Sequence, residues 1–352
     1  MEPTVQVLCG DALKRLRELP SESVQCCVTS PPYWRQRDNH AAGQIGLEAD
    51  PNEYVKRLVR VFREVRRVLK PAGTLWLNLG DSYAGGGMNA GRQPFRLHST
   101  AQRLWQPYGL TSAVPVPTGL KPKDMMGIPW RVAFALQADG WWLRSDIIWH
   151  KPNPAPEPVR DRPTKTYEHL FLLAKSRRYF YDADAIREHH QPKSLSRMRY
   201  GHLPSRVDYP SGAARQPFAS KRMCHPLGRN KRDVWMVTTR GSRSIHHSTF
   251  PEALVKPCVL AGSKPGDLVL DPFAGSGTTL IVALRLARRA IGIDLNPEYV
   301  ALTRSRVQEA EGSRDRAPGQ SNFTRTIGPG SSLDDSLRST VKNPVPLGLF
   351  NS

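Results

Sequence analysis

The chain is predicted to be an α/β protein built on a doubly wound, mostly parallel sheet of about seven strands. Three observations predict it. In the first eighty residues an apolar strand, a long amphipathic helix and a second apolar strand follow one another, which is a βαβ unit. Further on, a strand enters a glycine-rich turn, then a helix, then a strand that stops on an acid, the grammar of a nucleotide-binding half-sheet. Beyond that acid only one helix remains, so this half-sheet lacks an outer strand. Val5–Leu8, at the other end of the chain, is placed to supply it.

Taken in order, Val5–Leu8 reads as a short strand closed by Gly10-Asp11. Asp11 suits the cap of a helix over Ala12–Leu19, whose Leu13, Leu16 and Leu19 share a side. Pro20-Ser21 ends that helix, and Val24–Thr29 forms the second strand, running into Ser30-Pro31-Pro32-Tyr33-Trp34. Asn52–Lys70 is the clearest helix: Tyr54, Val55, Leu58, Val61, Phe62, Val65, Val68 and Leu69 recur at three- and four-residue steps. Its arginines read as a solvated outer face, with nucleic-acid contact as the sharper reading. Pro71-Ala72-Gly73 stops it, and Thr74–Leu79 is a buried strand.

Ala84 to Lys123 has glycines, prolines and no periodicity, so it reads as a long mobile loop beside the site. A helix over Met125–Ala138 opens near Pro129. Trp141–Trp149 and His169–Leu173 are strands joined by a proline-rich loop carrying Lys151, Arg160, Arg162 and Lys165. A helix over Pro251–Leu260, a strand over Asp267–Leu270, a helix over Leu280–Arg288, a strand over Ala290–Ile293 and a helix over Glu298–Val307 complete the ordered part.

The predicted organisation is a catalytic domain from residues 1–186 and 244–310, a basic insertion at 187–243 and a disordered tail at 311–352. The net charge is +20 over 352 residues, and that excess points to a polyanionic partner, with RNA contact as a competing reading of charge alone. Residues 187–243 hold 13 Lys or Arg against 3 acids, half of the whole surplus, with Tyr200, Tyr209, Phe218 and Trp235 interleaved. That pattern suits nucleic-acid contact; a plain disordered insertion is the bland alternative. The five cysteines are scattered without a Cys-x-x-Cys pair, which predicts a reducing compartment, no disulfide framework and no metal site. With no signal peptide and no membrane-length apolar run, the expected location is cytoplasmic, on the nucleoid through DNA.

Two stretches carry chemistry. Gly275 and Gly277 let the backbone of Asp271-Pro272-Phe273-Ala274-Gly275-Ser276-Gly277 approach a ligand, and the following helix offers unpaired N–H groups. Asp294, at the tip of the next strand, is placed to accept both ribose hydroxyls. Asp271 would repel a pyrophosphate but suits a cationic amino-acid group, which favours S-adenosylmethionine over NAD. The other stretch, Ser30 to Tyr33, offers a hydroxyl, a carbonyl without a ladder partner and an exposed ring. Those parts suit a planar ring bearing an amine.

Together these stretches resemble the amino-group DNA methyltransferases, in the permuted β class where the catalytic motif precedes the cofactor motif. Ser30-Pro31-Pro32-Tyr33 matches the catalytic tetrapeptide and Asp271 to Gly277 the cofactor motif. Phe250-Pro251 looks like the Phe-Pro element of the cofactor wall. Trp149 to Pro154 and Thr166 to Ser176 also look like family blocks. The resemblance spans roughly residues 4–83, 125–184 and 233–309.

It implies methyl transfer from S-adenosylmethionine to an exocyclic amine of a base flipped out of double-stranded DNA. Ser30 and the Pro31 carbonyl would accept from the amine, Pro32 would shape the turn, and Tyr33 would stack on the base. Trp34 either stacks or packs. Asp271, Phe273, Gly275, Ser276, Gly277, Asp294, Phe250 and Asp11 form the expected cofactor set, with Asp11 equally suited to capping. Ser in the first position is commoner among cytosine-N4 enzymes of that family, so cytosine is expected, with adenine-N6 as the alternative. A cognate restriction endonuclease is a candidate partner, and the oligomeric state is open. An NAD-type oxidoreductase would leave Ser30–Tyr33 and the charge without a role; a DNA-binding module with a dead fold is the third reading.

Overall fold

In the computed structural model, residues 4–36, 38, 41–85, 116–157, 159–192, 225–239 and 250–315 are described. Most of the loop Ala84–Lys123, most of the basic insertion and the tail beyond 315 lie outside them.

The N-terminal half supplies β1 (Val5–Cys9), α1 (Ala12–Glu18), β2 (Val24–Thr29), α2 (Pro51–Val68) and β3 (Leu69–Leu79). Then come α3 (Ile128–Ala138), the hairpin of β4 (Trp142–His150) and β5 (Tyr167–Ala174), and the short β6 (Val234–Met236). The C-terminal half adds α4 (Glu252–Gly262), β7 (Leu268–Asp271), α5 (Thr278–Arg285), β8 (Arg289–Asp294) and α6 (Pro297–Asp315).

All eight strands form one sheet in the order β1-β8-β7-β2-β3-β5-β4-β6. The pairs from β1 through β3 are parallel, β5 runs antiparallel between β3 and β4, and β6 lies parallel to β4. The predicted class therefore stands, and β1 is the outer strand of the C-terminal half-sheet, with Val5 opposite Ala290 and Cys9 opposite Asp294. The eighth strand is β6, which falls inside the basic insertion. Three residues with Trp235 buried between exposed Val234 and Met236 give too short a period to read from sequence.

One core layer packs α1, α2 and α3 on one face of the sheet, and a second packs α4, α5 and α6 on the other. Central β2 is buried at all 6 positions, as a strand covered on both faces must be. Asp50 caps α2, accepting from Asn52 N at 2.9 Å, and Pro51 opens it. The apolar stripe of α2 buries Tyr54, Leu58, Phe62 and Val65 completely, roughly 1.5–3 kcal/mol each. Its arginine face is not simply solvated. Arg67 Nη2 donates to Leu16 O at 2.8 Å, Arg57 pairs with Glu48 at 2.7 Å, and Arg63 pairs with Asp139.

Element ends moved where the backbone turned. β3 begins at Leu69 because Leu69 pairs directly with Val24. α5 stops at Arg285 because Ala287 adopts a left-handed φ of 60° and Arg288 turns inward, its Nη2 donating to Ser263 O at 2.6 Å. α6 runs on to Asp315. Among the described residues no helix is long and apolar enough to cross a membrane. Cys9, Cys26, Cys27 and Cys258 are free thiols, and Cys224 lies outside the described residues.

Candidate active site

Parallel strands bring their C-terminal ends to one edge of the sheet. Here those ends carry Asp11 after β1, Ser30 after β2, Gly80 after β3, Asp271 at the end of β7 and Asp294 at the end of β8. β7 and β2 are neighbours, with Cys27 opposite Leu270, so the two chemical stretches meet where the strand order reverses. In open α/β sheets that crevice is where ligands bind.

On the cofactor side, Gly275 and Gly277 have φ of 52° and 78°, backbone that side chains disfavour. A Cβ on Gly277 would lie 2.5 Å from Thr303 Cγ2. Thr303 Oγ1 also donates to Gly275 O at 2.8 Å, so α6 moulds the turn. Gly277 opens α5 with no side-chain cap, which leaves N–H groups for a ligand. Asp294 accepts from Gly275 N at 2.8 Å and from Asn296 N at 2.9 Å, one to each oxygen. Asp271 is 3% exposed and has no cationic partner among the described residues; its neighbours are donors, Thr29 Oγ1 at 2.7 Å, Phe273 N at 3.1 Å and the Thr279 hydroxyl. Burial pushes the carboxyl groups of both Asp271 and Asp294 up to about 6. A buried acid short of a cation fits an ammonium or sulfonium group.

The other expected cofactor residues divide. Phe273 turns its ring edge-on to Phe62, with centroids 6.4 Å apart. Ser276 is buried, and its carbonyl accepts from Arg306. Phe250 packs partly buried at the start of α4. Asp11 caps α1, accepting from Lys14 N at 2.9 Å, while Gly10 N donates to Asp294 O at 2.8 Å and holds Asp11 beside the cofactor edge.

On the catalytic side, Ser30 Oγ lies 3.2 Å from Asn78 Oδ1 and 3.4 Å from Tyr33 Oη. Tyr54 Oη donates to the Pro32 carbonyl at 2.9 Å. The Pro31 carbonyl accepts from no other described residue. Trp34 is 1% exposed and its indole donates to Glu48 O at 2.9 Å, so it packs. Tyr33 Oη is 2.6 Å from Glu168 Oε2, and its ring passes so close to Gly80 that a Cβ there would lie 2.6 Å from Tyr33 Cε2. Burial, and then the Glu168 carboxylate, push the Tyr33 phenol well above its ordinary pKa. Asn78, Thr29 and Thr303 are site neighbours that carry no motif signal of their own, and Lys151 and Glu168 fall in the two family-like stretches but outside the expected site set.

The sheet thus brings a glycine-moulded turn, a buried acid at the end of β8 and the Ser30–Tyr33 loop to one switch point, the place where open α/β sheets bind nucleotide-like ligands. A family model described as DNA methylase, of the N6/N4 type, matches residues 24–305. The chain belongs to this N6/N4 DNA methyltransferase family. It is 46% identical over 300 residues to the Type II methyltransferase M.Cfr9I of Citrobacter freundii, covering 85% of this chain and 86% of that one. To the Type II methyltransferase M.SmaI of Serratia marcescens it is 45% identical over 302 residues, covering 86% and 90%. Among solved structures it resembles the cytosine-N4-specific PvuII DNA methyltransferase, with TM-score 0.58 at 19% identity, covering 90% of this chain and 93% of that one. It also resembles a putative DNA modification methylase of Thermus thermophilus complexed with S-adenosyl-L-methionine, with TM-score 0.54 at 24% identity, covering 87% and 94%. At these identities both likenesses speak to the fold.

Proposed function

We propose that this protein methylates the exocyclic N4 amino group of cytosine in duplex DNA, using S-adenosylmethionine and a base flipped into the pocket beside Ser30. The observation that supports the reading is the 2.7 Å bond from Thr29 Oγ1 to Asp271 Oδ1, which ties the residue before Ser30 to the acid that opens the glycine-rich stretch.

The cofactor supplies an electrophilic methyl group on a sulfonium. The chain supplies position and charge. Asp271 holds the cationic amino-acid end, Asp294 the ribose hydroxyls, and the turn Gly275–Gly277 admits the backbone close to both. The amine of cytosine is a weak nucleophile because its lone pair is spread into the ring. Ser30 Oγ and the Pro31 carbonyl would accept hydrogen bonds from its two N–H groups, which localises the lone pair on nitrogen and directs it toward the methyl group. Tyr33 gives the ring a face or an edge to rest on.

Cytosine is favoured because serine stands at the first position of Ser30-Pro31-Pro32-Tyr33, the residue commoner there among cytosine-N4 members of the resembled family. Adenine N6 remains the alternative for the same geometry. The basic insertion is proposed to read the recognition site, arginines being shared between phosphates and base edges. Replacing residues 193–224 with a short Gly-Ser linker tests that: cofactor affinity stays, site-specific methylation disappears, and retained specificity refutes it. Membership of a restriction-modification pair, with a cognate endonuclease, is proposed from the Type II relatives and tested by sequencing the neighbouring genes. Nucleoside mass spectrometry after reaction with labelled cofactor identifies the base.

A further inference from the structure

One phenol proton on the rim of this site faces two acceptors. Tyr33 Oη lies 2.6 Å from Glu168 Oε2 and 2.8 Å from Asn78 Oδ1. The Asn78 amide is fixed, because its Nδ2 donates to the His169 carbonyl at 3.0 Å. Its Oδ1 must therefore face both Tyr33 and the Ser30 hydroxyl, 3.2 Å away. A carboxylate is the stronger acceptor and charge-assisted bonds are shorter, so the phenol proton goes to Glu168. Asn78 Oδ1 is then left to receive the Ser30 proton.

The charge on Glu168 is secured from the other side. Lys151 Nζ closes on Glu168 Oε1, with the two side chains only 20% and 14% exposed, and the same ammonium lies 4.4 Å from the centroid of the Trp149 ring. Lys151 directly follows β4 and Glu168 lies in β5, so the pair sits at the end of the hairpin next to β3 and Asn78.

We propose that Glu168, held by Lys151, is a positioning residue for methyl transfer: through Tyr33 and Asn78 it turns the Ser30 proton away from the pocket and leaves the serine lone pairs facing the substrate amine. The proposal rests on the amino-group transfer assigned to Ser30 above. With a neutral amide at position 168 the phenol proton falls back on Asn78 Oδ1. There it competes with the Ser30 proton and leaves the Ser30 hydroxyl freer to turn toward the pocket, where its proton opposes an amine that must donate.

The test uses the full-length protein, methyl-labelled S-adenosylmethionine and unmethylated plasmid DNA. Glu168→Gln lowers kcat about tenfold or more, while KM for DNA and the cofactor Kd stay within about twofold. Lys151→Met behaves the same way and Lys151→Arg recovers most of the rate. In a Tyr33→Phe background, where no phenol proton exists to redirect, adding Glu168→Gln costs less than about twofold. Undiminished kcat in Glu168→Gln overturns the proposal, as do equal losses in both backgrounds, the mark of a merely structural ion pair. Cofactor binding reports that each variant is folded. A wild-type protein that methylates no DNA at all overturns the underlying functional reading instead.

Discussion

Thr29 Oγ1 donates to Asp271 Oδ1 at 2.7 Å across the seam between β2 and β7, and both side chains are buried, at 0% and 3% exposure. Thr29 is the last residue of one strand and Asp271 the last of the other. The bond thus joins the residue before Ser30 to the buried acid before the glycine turn, and it ties the two chemical stretches into one unit.

Replacing Thr29 with valine keeps the shape and removes this donor. The folded protein should lose about 1–2 kcal/mol in urea denaturation, because a buried carboxyl loses a hydrogen bond. The Asp271 carboxyl should rise further, and S-adenosylmethionine should bind more weakly at neutral pH by calorimetry. Unchanged affinity would show that the seam bond plays no part in cofactor binding.

Asp271 and Asp294 have carboxyl groups raised to about 6, with burial the largest cause for both. An unfolded aspartate titrates near ~3.9. Between those values the folded, ligand-free protein holds more protons than the unfolded chain. Its stability from these groups is complete below about 4 and declines as pH rises through about 6. Cofactor affinity runs the other way, since both acids must be ionised to hold cationic and hydroxyl groups. Calorimetric titrations from pH 5 to pH 8 should show affinity climbing through about 6 and levelling above about 7. A flat profile would remove the two carboxylates from the site.

Gly80→Ala probes Tyr33 without touching the cofactor turn. The new Cβ would stand 2.6 Å from Tyr33 Cε2, so the ring must move. Methyl transfer should fall at least about tenfold while cofactor affinity holds. Full activity would mean that the ring position is not critical.

Gly277→Ala does the converse. It places a side chain at a φ of 78° and 2.5 Å from Thr303 Cγ2, which should cost about 1–3 kcal/mol of stability and most of the cofactor affinity. Thermal denaturation with and without S-adenosylmethionine measures both effects.

The sheet was legible because each βαβ unit leaves a local mark: a period of 3.6 in α2, apolar runs in β2 and β3, and turn glycines at 275 and 277. Asp271, Asp294 and Ser30 could be found because each stands at or just past a strand end. The supporting residues could not. Asn78 reads as one polar letter in a buried strand, and although Glu168 and Lys151 fall in stretches that look like family blocks, nothing local says that the hairpin sets them beside Tyr33. Trp34 illustrates the opposite limit. Its place beside Tyr33 suits stacking and packing equally, and only the Glu48 carbonyl, 14 positions on, shows that it packs.

Wild-type protein and Ser30→Ala, each incubated with methyl-labelled S-adenosylmethionine and unmethylated DNA, test the central claim most directly when the digested nucleosides are weighed by mass spectrometry. The predicted result is labelled N4-methylcytosine from the wild type and almost none from the variant. Labelled N6-methyladenine without N4-methylcytosine, or equal labelling by the Ser30→Ala protein, would contradict it.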